Sequence, residues 1–300
     1  MFIVKDTREK KRSQVAFWLY DLYKDGKPIG RVPVSSSTTY QKLISFSQGN
    51  GLAVLNRGLF YIPKELWEEY KRDYVKGNFL ANAKRGLRIF KEDRLTRLAP
   101  YILIDFDDIE EREIRRLVKY LHKIGVYPEI WKSASGRGFH VYVRLIGMVE
   151  SGETGKRYCY PYASDYRISL CIRGLSEICK RLNLKPDFVS VRHAVWEEGL
   201  PNPLKGGKAS QRVFNGKLHR LDKLTEKLKP LWEAALREEA RAQFVKLKAK
   251  KRKKNERGSG VEIRTCESSN PIDFLQSNIS VVFRMLDGGA SWGEIEEELR

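Results

Sequence analysis

The sequence lacks long apolar runs and contains little cysteine. No apolar segment reaches the roughly 18 residues that a membrane-spanning helix needs, and the first residues, MFIVKDTREKKR, have no apolar core of a signal peptide. The four cysteines are irregularly spaced, which is not the pattern of a disulfide framework. We therefore expect a soluble, cytoplasmic protein that does not contact a membrane.

Three of the cysteines, Cys159, Cys171 and Cys179, are candidate zinc ligands. Cys171 falls on the apolar stripe of a predicted helix over 166–182, and Cys179 borders that stripe. At about 1.5 Å of rise per residue, the two lie about 12 Å apart along the axis, too far for one ion to bridge. The pattern therefore argues against zinc.

Positive charge is in large excess. The chain has 57 lysines and arginines against 38 acids, a formal charge of +19 and a pI near 9.7. Such a balance indicates a polyanionic partner, for which nucleic acid is the default. With 300 residues, 41% of them apolar, the chain can bury one sizeable core and leave room for a small second domain.

The first part of the chain is predicted to be β-rich. The predicted strands are 15–23 and 29–34 around an Asp25-Gly26 turn, then 52–55 and 58–62 around Asn56-Arg57. Aromatic residues interleave with basic ones here, which is typical of core packing and also compatible with stacking on bases. An amphipathic helix at 65–75 and a basic connector at 82–97 follow.

The most informative stretch begins with a buried strand, Tyr101–Ile104, that runs into Asp105, Phe106, Asp107 and Asp108. Because strand residues alternate between faces, Asp105 and Asp107 share one face. Two such carboxylates can hold two divalent ions that activate a hydroxyl and stabilise a pyrophosphate leaving group. The competing interpretation is that Asp107 or Asp108 caps the next helix.

A β-α-β-β unit is predicted around these acids. A helix over 109–124 leads to a strand at 129–132, a turn at 135–138 and a strand at 139–145, in which alternation separates His140 from the core residues Phe139 and Val141. This unit can place His140 beside the aspartates. The turn Ser135, Gly136, Arg137 and Gly138 can bring backbone amides to a triphosphate, with Arg137 and His140 as further donors.

Beyond a polar loop at 148–157, a strand pattern over 183–191 carries Asp187 and is followed by Arg192. Next comes a basic loop over 200–210 whose amides, with Lys205 and Lys208, suit phosphate, and then a strand at 211–214. From residue 221 a charged helix ends in a lysine-rich run, either a solvated helix end or a contact for the DNA backbone. We expect domains at 1–220 and 261–300, the second truncated, joined by the charged helix and basic linker at 221–260.

Three segments together resemble the motifs of the archaeo-eukaryotic primase superfamily: ILIDFDD, SASGRGFHVYV, and an aspartate strand followed by an arginine and a Pro/Lys/Gly loop. The superfamily includes primase-polymerases of archaeal plasmids and phages and the polymerase domain of bacterial end-joining ligases. The resemblance covers roughly residues 100 to 215. It departs from the family in the third motif, where HAVWEEGLPNP lengthens the path between Arg192 and Lys205.

The resemblance implies a DNA primase and DNA polymerase domain that transfers a nucleotide from an NTP or dNTP to a 3′-hydroxyl on a DNA template. Its fold would be α+β, with an RRM-like β-α-β-β catalytic sheet, an N-terminal β-rich half and a helical C-terminal appendage. A helicase or an accessory region C-terminal to residue 300 would fit plasmid or phage replication. The implied Mg²⁺ or Mn²⁺ ligands are Asp105, Asp107 and Asp187, and the implied nucleotide contacts are Ser135, Gly136, Arg137, Gly138, His140, Arg192 and Lys205.

Two other functional classes stay open. An RRM-like single-strand binding module would place aromatic side chains on the open sheet face, where the alternation puts acids and a histidine. A metal-dependent nuclease or rolling-circle replication initiator would require a His-x-His pair, whereas Phe139-His140-Val141-Tyr142 has one histidine. Incubation with labelled nucleotides, template and Mg²⁺ or Mn²⁺ distinguishes extension, nicking and retention.

Overall fold

The computed structural model describes residues 3–4, 14–151, 155–191, 193–202 and 205–256. These residues form an α+β fold with two sheets and six α-helices. The chain divides into two units, Met1–Lys229 and Pro230–Arg300. Arg192 and the predicted domain at 261–300 lie outside the described residues.

Strands outnumber helices along the described chain. The strands are β1 (Ile3–Val4), β2 (Gln14–Lys24), β3 (Lys27–Val34), β4 (Ala53–Ile62), β5 (Thr96–Arg97), β6 (Tyr101–Phe106), β7 (Glu129–Lys132), β8 (Phe139–Ser151), β9 (Gly155–Cys159), β10 (Phe188–Ser190), β11 (Val195–Trp196), β12 (Gln211–Phe214) and β13 (His219–Arg220). The helices are α1 (Ser37–Gly49), α2 (Lys64–Arg72), α3 (Phe79–Ile89), α4 (Glu111–Lys123), α5 (Tyr166–Arg181) and α6 (Leu221–Glu256).

The first sheet is built on the long antiparallel pair β2 and β4. Its strands run in the order β1-β2-β4-β11, with β3 paired to β2 and β5 to β4. The predicted hairpin at 52–62 is wrong, because β4 is one strand that pairs with β2 along its length. Asn56 Oδ1 accepts a hydrogen bond from the Gly58 N–H, and the register shifts opposite them. The Asn56-Arg57 signal therefore marks a bulge and not a turn.

The predicted basic connector at 82–97 is also wrong over its first half, which belongs to α3. This helix packs closely on β3: a Cβ added to Gly86 would lie 2.1 Å from the carbonyl oxygen of Arg31, and one added to Gly30 would lie 2.6 Å from Cβ of Ala83. Asn78 caps the helix by accepting from the Ala81 N–H. The segment was predicted as a basic connector because lysines and arginines on the exposed side of the helix alternate with the small buried residues.

The second sheet carries the predicted β-α-β-β unit. Its main path is β10-β6-β8-β7-β12, with β9 and β13 also paired to β8. The sheet is antiparallel apart from the β13 pairing, which is parallel. The predicted polar loop at 148–157 is wrong, because the chain forms a hairpin in which β8 continues to Ser151 and pairs with β9.

Alternation along β6 and β8 separates a core face from a site face. Six side chains on the core face are at most 2% exposed: Ile102, Ile104, Phe106, Phe139, Val141 and Val143. The apolar stripes of α4 and α5 are also buried, including Cys171 and Cys179. The prediction that Phe139, Val141 and Val143 face the core is confirmed, so His140 lies on the other face.

The remaining boundaries follow the sequence with small shifts. Strand β7 and strand β12 have the predicted limits, whereas β10 covers only the last part of the predicted 183–191 strand. Helix α6 passes through Pro230 and ends at Glu256 within the described chain. None of the described helices has an apolar stretch of the length needed to cross a membrane.

Candidate active site

Asp105 and His140 face each other on neighbouring strands. They are directly paired between β6 and β8, and Nε2 of His140 lies 3.4 Å from Oδ1 of Asp105. The same row of paired residues continues to Phe188 on β10 and, on the other side, to Trp131 and Arg212. The structure thus places the first-motif aspartate and the second-motif histidine side by side.

Asp187 is held against the end of β6 by two hydrogen bonds. Its backbone N–H donates to the carbonyl oxygen of Asp105 at 2.8 Å, and its Oδ2 accepts from the backbone N–H of Asp107 at 2.6 Å. The residue after it, Phe188, begins β10 and pairs with Asp105. The backbones of the three acids singled out in the sequence therefore lie at adjacent strand ends, although Asp187 is remote from the others in the chain.

The carboxyl group of Asp105 lies in an unfavourable environment. Burial raises its pKa, the nearby His140 lowers it, and the charges of Asp107, Asp187 and Glu198 raise it, so that the net shift is upward. Its Oδ1 is buried and makes no hydrogen bond, although Nε2 of His140 lies 3.4 Å away. A buried acceptor of this kind is costly unless a proton or a cation satisfies it.

The donor atoms suit a hard divalent cation, because carboxylate oxygens are the ligands that Mg²⁺ and Mn²⁺ prefer. The unpartnered Oδ1 of Asp105 is one such donor. Within the described ranges, however, no three His, Cys, Asp or Glu side chains are grouped closely enough to hold a metal ion. The acids supply the right chemistry, and ion binding would require their side chains to draw together.

The serine-glycine turn of the second motif lies against the end of β6. The Ile109 N–H donates to the carbonyl oxygen of Arg137, and a Cβ added to Gly138 would lie 2.3 Å from the carbonyl oxygen of Phe106. Only glycine fits at position 138 without a shift of backbone. The turn is consequently fixed next to the acids.

Three backbone amides of this turn, those of Gly136, Arg137 and Gly138, already have partners within it. Ser133 accepts from two of them, through its carbonyl oxygen from Gly136 and through its Oγ from Gly138, and Ser135 Oγ lies 3.4 Å from the Arg137 nitrogen. The sequence predicted amides free to approach a triphosphate. In this structure the groups that the turn offers outward are its hydroxyls, with Ser133 Oγ and Ser135 Oγ 2.8 Å apart.

A basic cavity of about 440 Å³ opens beside this turn, and we call it the loop cavity. Lys132, Ser133 and Ser135 line one side, and Lys208 and Gln211 line the other. Hydroxyls and ammonium groups around a cavity of this size suit phosphate oxygens. The structure thus brings the basic loop to the second motif.

Of the two lysines of the basic loop, Lys208 lines the loop cavity and Lys205 does not. Lys205 is exposed, and its N–H donates to the carbonyl oxygen of Asn202 in a turn that continues through Gly206 and Gly207, both with positive φ. Arg192 lies outside the described residues. The role of Lys205 as a nucleotide contact therefore stays a prediction, and Lys208 is the loop lysine that lines the cavity beside the second motif.

Sequence reasoning missed Glu198. Its Oε1 lies 2.5 Å from Nδ1 of His140 and accepts from the hydroxyl of Tyr142 at 2.6 Å. Burial disfavours the charged imidazole, but the hydrogen bond to Glu198 and the nearby carboxylates outweigh it and raise the pKa of His140. The only signal in the sequence was the acidic pair in HAVWEEGLPNP, the segment that lengthens the third motif.

No protein-family model, curated protein or solved structure matches the chain. The motifs and their geometry therefore carry the functional argument.

The neighbouring Glu197 forms hydrogen bonds with residues of the N-terminal half, which contains the first sheet. The Tyr40 hydroxyl donates to its Oε1 at 2.8 Å and Asn56 Nδ2 donates to its Oε2 at 3.1 Å. Burial raises the pKa of Glu197 to about 7, although both hydrogen bonds act to lower it. Glu197 and Glu198 directly follow β11. Glu197 hydrogen-bonds to residues of the N-terminal half, and Glu198 hydrogen-bonds to residues on the site face of the second sheet.

A second cavity, of about 390 Å³, lies between the two sheets, and we call it the aromatic cavity. Trp18, Tyr20 and Tyr40 line it from the N-terminal half. On the other side, its aromatic lining from the second sheet is Tyr101, Trp131 and Tyr142. Trp18 and Tyr101 stack across the gap with ring centroids 6.4 Å apart. The contact between these two rings could not be predicted from the sequence, because they belong to different sheets.

Proposed function

We propose that this protein is a primase-polymerase that transfers a nucleoside monophosphate from an NTP or dNTP to a 3′-hydroxyl on a DNA template. The observation that carries the proposal is the position of Asp187. Its carboxylate accepts from the backbone N–H of Asp107, and its own backbone N–H donates to the carbonyl oxygen of Asp105. The third motif was the weakest part of the resemblance. Its aspartate nonetheless lies beside the two acids of the first motif.

The arrangement of the second sheet supports an RRM-like catalytic core. Its elements follow the order β6-α4-β7-β8-α5-β10, interrupted by the hairpin strand β9, and β6 and β8 are the central neighbours. This is the β-α-β-β-α-β order of split β-α-β folds. We propose that the N-terminal sheet forms the opposite wall of the nucleotide cleft.

The proposed reaction is balanced without a protein base. The 3′-oxygen forms a bond to the α-phosphorus, the bond from that phosphorus to the α–β bridging oxygen breaks, pyrophosphate leaves, and the hydroxyl proton passes to solvent. Asp105, Asp107 and Asp187 would hold Mg²⁺ or Mn²⁺, which supplies charge neutralisation at the reacting phosphate. His140, as an imidazolium, would donate to a phosphate oxygen through Nε2.

The loop cavity is the proposed position of the outer phosphates. Lys132 and Lys208 provide positive charge, and the hydroxyls of Ser133 and Ser135 provide directed donors. Because the pyrophosphate leaves from this side, these groups would stabilise the charge that develops on it. The +19 formal charge of the chain suits a polyanionic template as well as the nucleotide.

The test is incubation of the protein with labelled dNTPs or NTPs, a primed or unprimed template, and Mg²⁺ or Mn²⁺. Template-directed extension supports the proposal. Nicking of the template without extension would instead identify a nuclease or replication initiator. Retention of the strand without any chemistry would identify a binding module.

One observation favours the binding module as a second candidate. The site face of the second sheet carries the rings of Tyr101, Trp131 and Tyr142, and RRM-like sheets bind single strands by stacking bases on such rings. In this protein, however, Trp18 and Glu198 from other elements also contact these rings or their hydroxyls. The rings therefore line a cavity and do not form an open platform.

A further inference from the structure

The aromatic cavity has walls suited to a flat ring. Tyr101 and Tyr142 pack edge to face, with centroids 4.9 Å apart, and Trp18 stacks with Tyr101 from the opposite sheet. Trp131 adds its indole plane, and a Cβ added to Gly199 would lie 3.4 Å from this ring. A volume of about 390 Å³ lies within the usual range of small-ligand sites.

The charges around the cavity are balanced by internal partners. Glu129 pairs with Arg144 at 2.5 Å and also accepts from the Trp131 indole, and Glu198 pairs with His140. Glu197 has a pKa of about 7 and accepts from two side chains. The lining therefore holds little uncompensated negative charge for an organic cation, and its carboxylates disfavour a phosphate group.

From this lining we infer that the aromatic cavity binds one nucleobase by stacking and edge hydrogen bonds, outside base pairing with a template. The inference rests on the proposed function for its choice of a nucleotide-derived ligand. Each carboxylate oxygen has two lone pairs, so Glu197 and Glu198 can accept a further hydrogen bond. A base with an exocyclic amino group, as in adenine or cytosine, therefore fits better than thymine.

The cavity adjoins the candidate active site through one shared carboxylate. Glu198 Oε1 contacts both the Tyr142 hydroxyl, which belongs to the cavity lining, and Nδ1 of His140. A nucleotide with its base in the cavity would have its phosphates on the His140 side, away from Glu129 and Glu197. The base could belong to a free nucleotide or to a single strand.

The experiment measures the binding of phosphate-free nucleosides to the full chain by calorimetry. We expect adenosine and cytidine to bind and thymidine to bind more weakly. Trp131→Leu should weaken nucleoside binding roughly 10-fold, as loss of one base-stacking ring does. Trp131→Phe, which keeps a ring, should restore most of it, and Tyr166→Leu, at an exposed ring outside the cavity, should leave binding unchanged.

Two controls separate this inference from the proposed function. Tripolyphosphate, which has no base, should bind wild type and Trp131→Leu equally, which also shows that the variant is folded. If wild type extends a primer but binds no nucleoside at millimolar concentration, the cavity inference fails and the proposed function stands. If nucleosides bind but the protein extends no primer, the cavity inference stands and the proposed function fails.

Competition then identifies the source of the base. Displacement of bound nucleoside by a dNTP but not by a single-stranded oligonucleotide assigns the cavity to a nucleotide, and the opposite result assigns it to a strand. Either result supports the base pocket. Equal loss of nucleoside binding in Trp131→Leu, Trp131→Phe and Tyr166→Leu contradicts it, since a ring-specific pocket predicts different effects.

Discussion

Oε1 of Glu198 lies 2.5 Å from Nδ1 of His140, on the opposite edge of the ring from the nitrogen that faces Asp105. This contact fixes which nitrogen points into the site. Together with the nearby aspartates it raises the pKa of His140 against the opposing effect of burial. A protonated ring donates from both nitrogens, and that form is suited to a phosphate oxygen.

The first prediction concerns Glu198→Gln. The amide keeps the size of the side chain but loses the charge that favours protonation of His140, so we expect KM for the nucleotide to rise roughly 10-fold, with a smaller fall in kcat. Steady-state primer extension over a range of dNTP concentrations measures the split. Glu226→Gln, at an exposed glutamate on α6, is the matched control and should leave both constants unchanged. Equal constants for Glu198→Gln and wild type would show that the contact is only structural.

The second prediction compares two lysines of the basic loop. Lys208 lines the loop cavity and Lys205 does not. Lys208→Ala should therefore weaken nucleotide binding roughly 5- to 10-fold through loss of a charge-assisted contact, while Lys205→Ala stays within about 2-fold. Equilibrium binding of a labelled dNTP checks this. A larger loss in Lys205→Ala would return that lysine to the role the sequence first suggested.

The third prediction tests the close approach of the second-motif turn to β6. Because a Cβ at position 138 would meet the Phe106 carbonyl at 2.3 Å, Gly138→Ala should lower the free energy of unfolding by about 1–3 kcal/mol and also reduce activity. Urea denaturation measures the first effect. Gly49→Ala is the control: nothing lies within 4 Å of its added Cβ, and alanine favours the helix. A fully stable Gly138→Ala would mean that the turn is not held against β6.

The fourth prediction is a pH dependence of stability that originates at Glu197. Its pKa is about 7 in the folded protein against an ordinary value of 4.5. Between these values the native state retains a proton that the unfolded state has released, so stability falls as the pH rises from about 4.5 to 7 and levels off above. The total contribution is about 3 kcal/mol.

Glu197→Gln isolates this effect. The variant cannot ionise at position 197, so its unfolding free energy minus that of wild type should grow between pH 5 and pH 8. Urea denaturation at several pH values measures the difference, in which the titrating groups that are not coupled to Glu197 cancel. A constant difference across this range would place the carboxyl of Glu197 in contact with water.

Local sequence patterns were sufficient to place a site residue where its strand neighbours belong to the same motif. The alternation of Phe139, Val141 and Val143 with His140 located the site face, and the Asp105 segment located the strand end. The small residues on one side of α3 could not be recognised as a packing face from the sequence. They pack against β3, where a Cβ added to Gly86 would lie 2.1 Å from the carbonyl oxygen of Arg31. Tertiary packing determines whether such a segment forms a helix, and the periodicity of its apolar residues does not predict this.

Glu198 illustrates the same limit within the site. In the sequence it belongs to a segment that merely lengthened the third motif. Its role depends on β11 pairing with β4 of the first sheet, which carries the next residues across to His140 and Tyr142. Both Lys205 and Lys208 belonged to the predicted basic loop, and the resemblance implied Lys205 as the nucleotide contact. In the structure Lys208 lines the loop cavity together with Ser135.

Nucleotidyl transfer by this protein is proposed to depend on the two acids of the first motif, and primer extension tests this dependence most directly. Primer extension with labelled dNTPs, template and Mg²⁺ or Mn²⁺ is compared between wild type and the double variant Asp105→Ala, Asp107→Ala, with folding checked by urea denaturation. We predict template-directed addition by wild type and its loss in the folded double variant. Undiminished addition by that variant would contradict the proposed function.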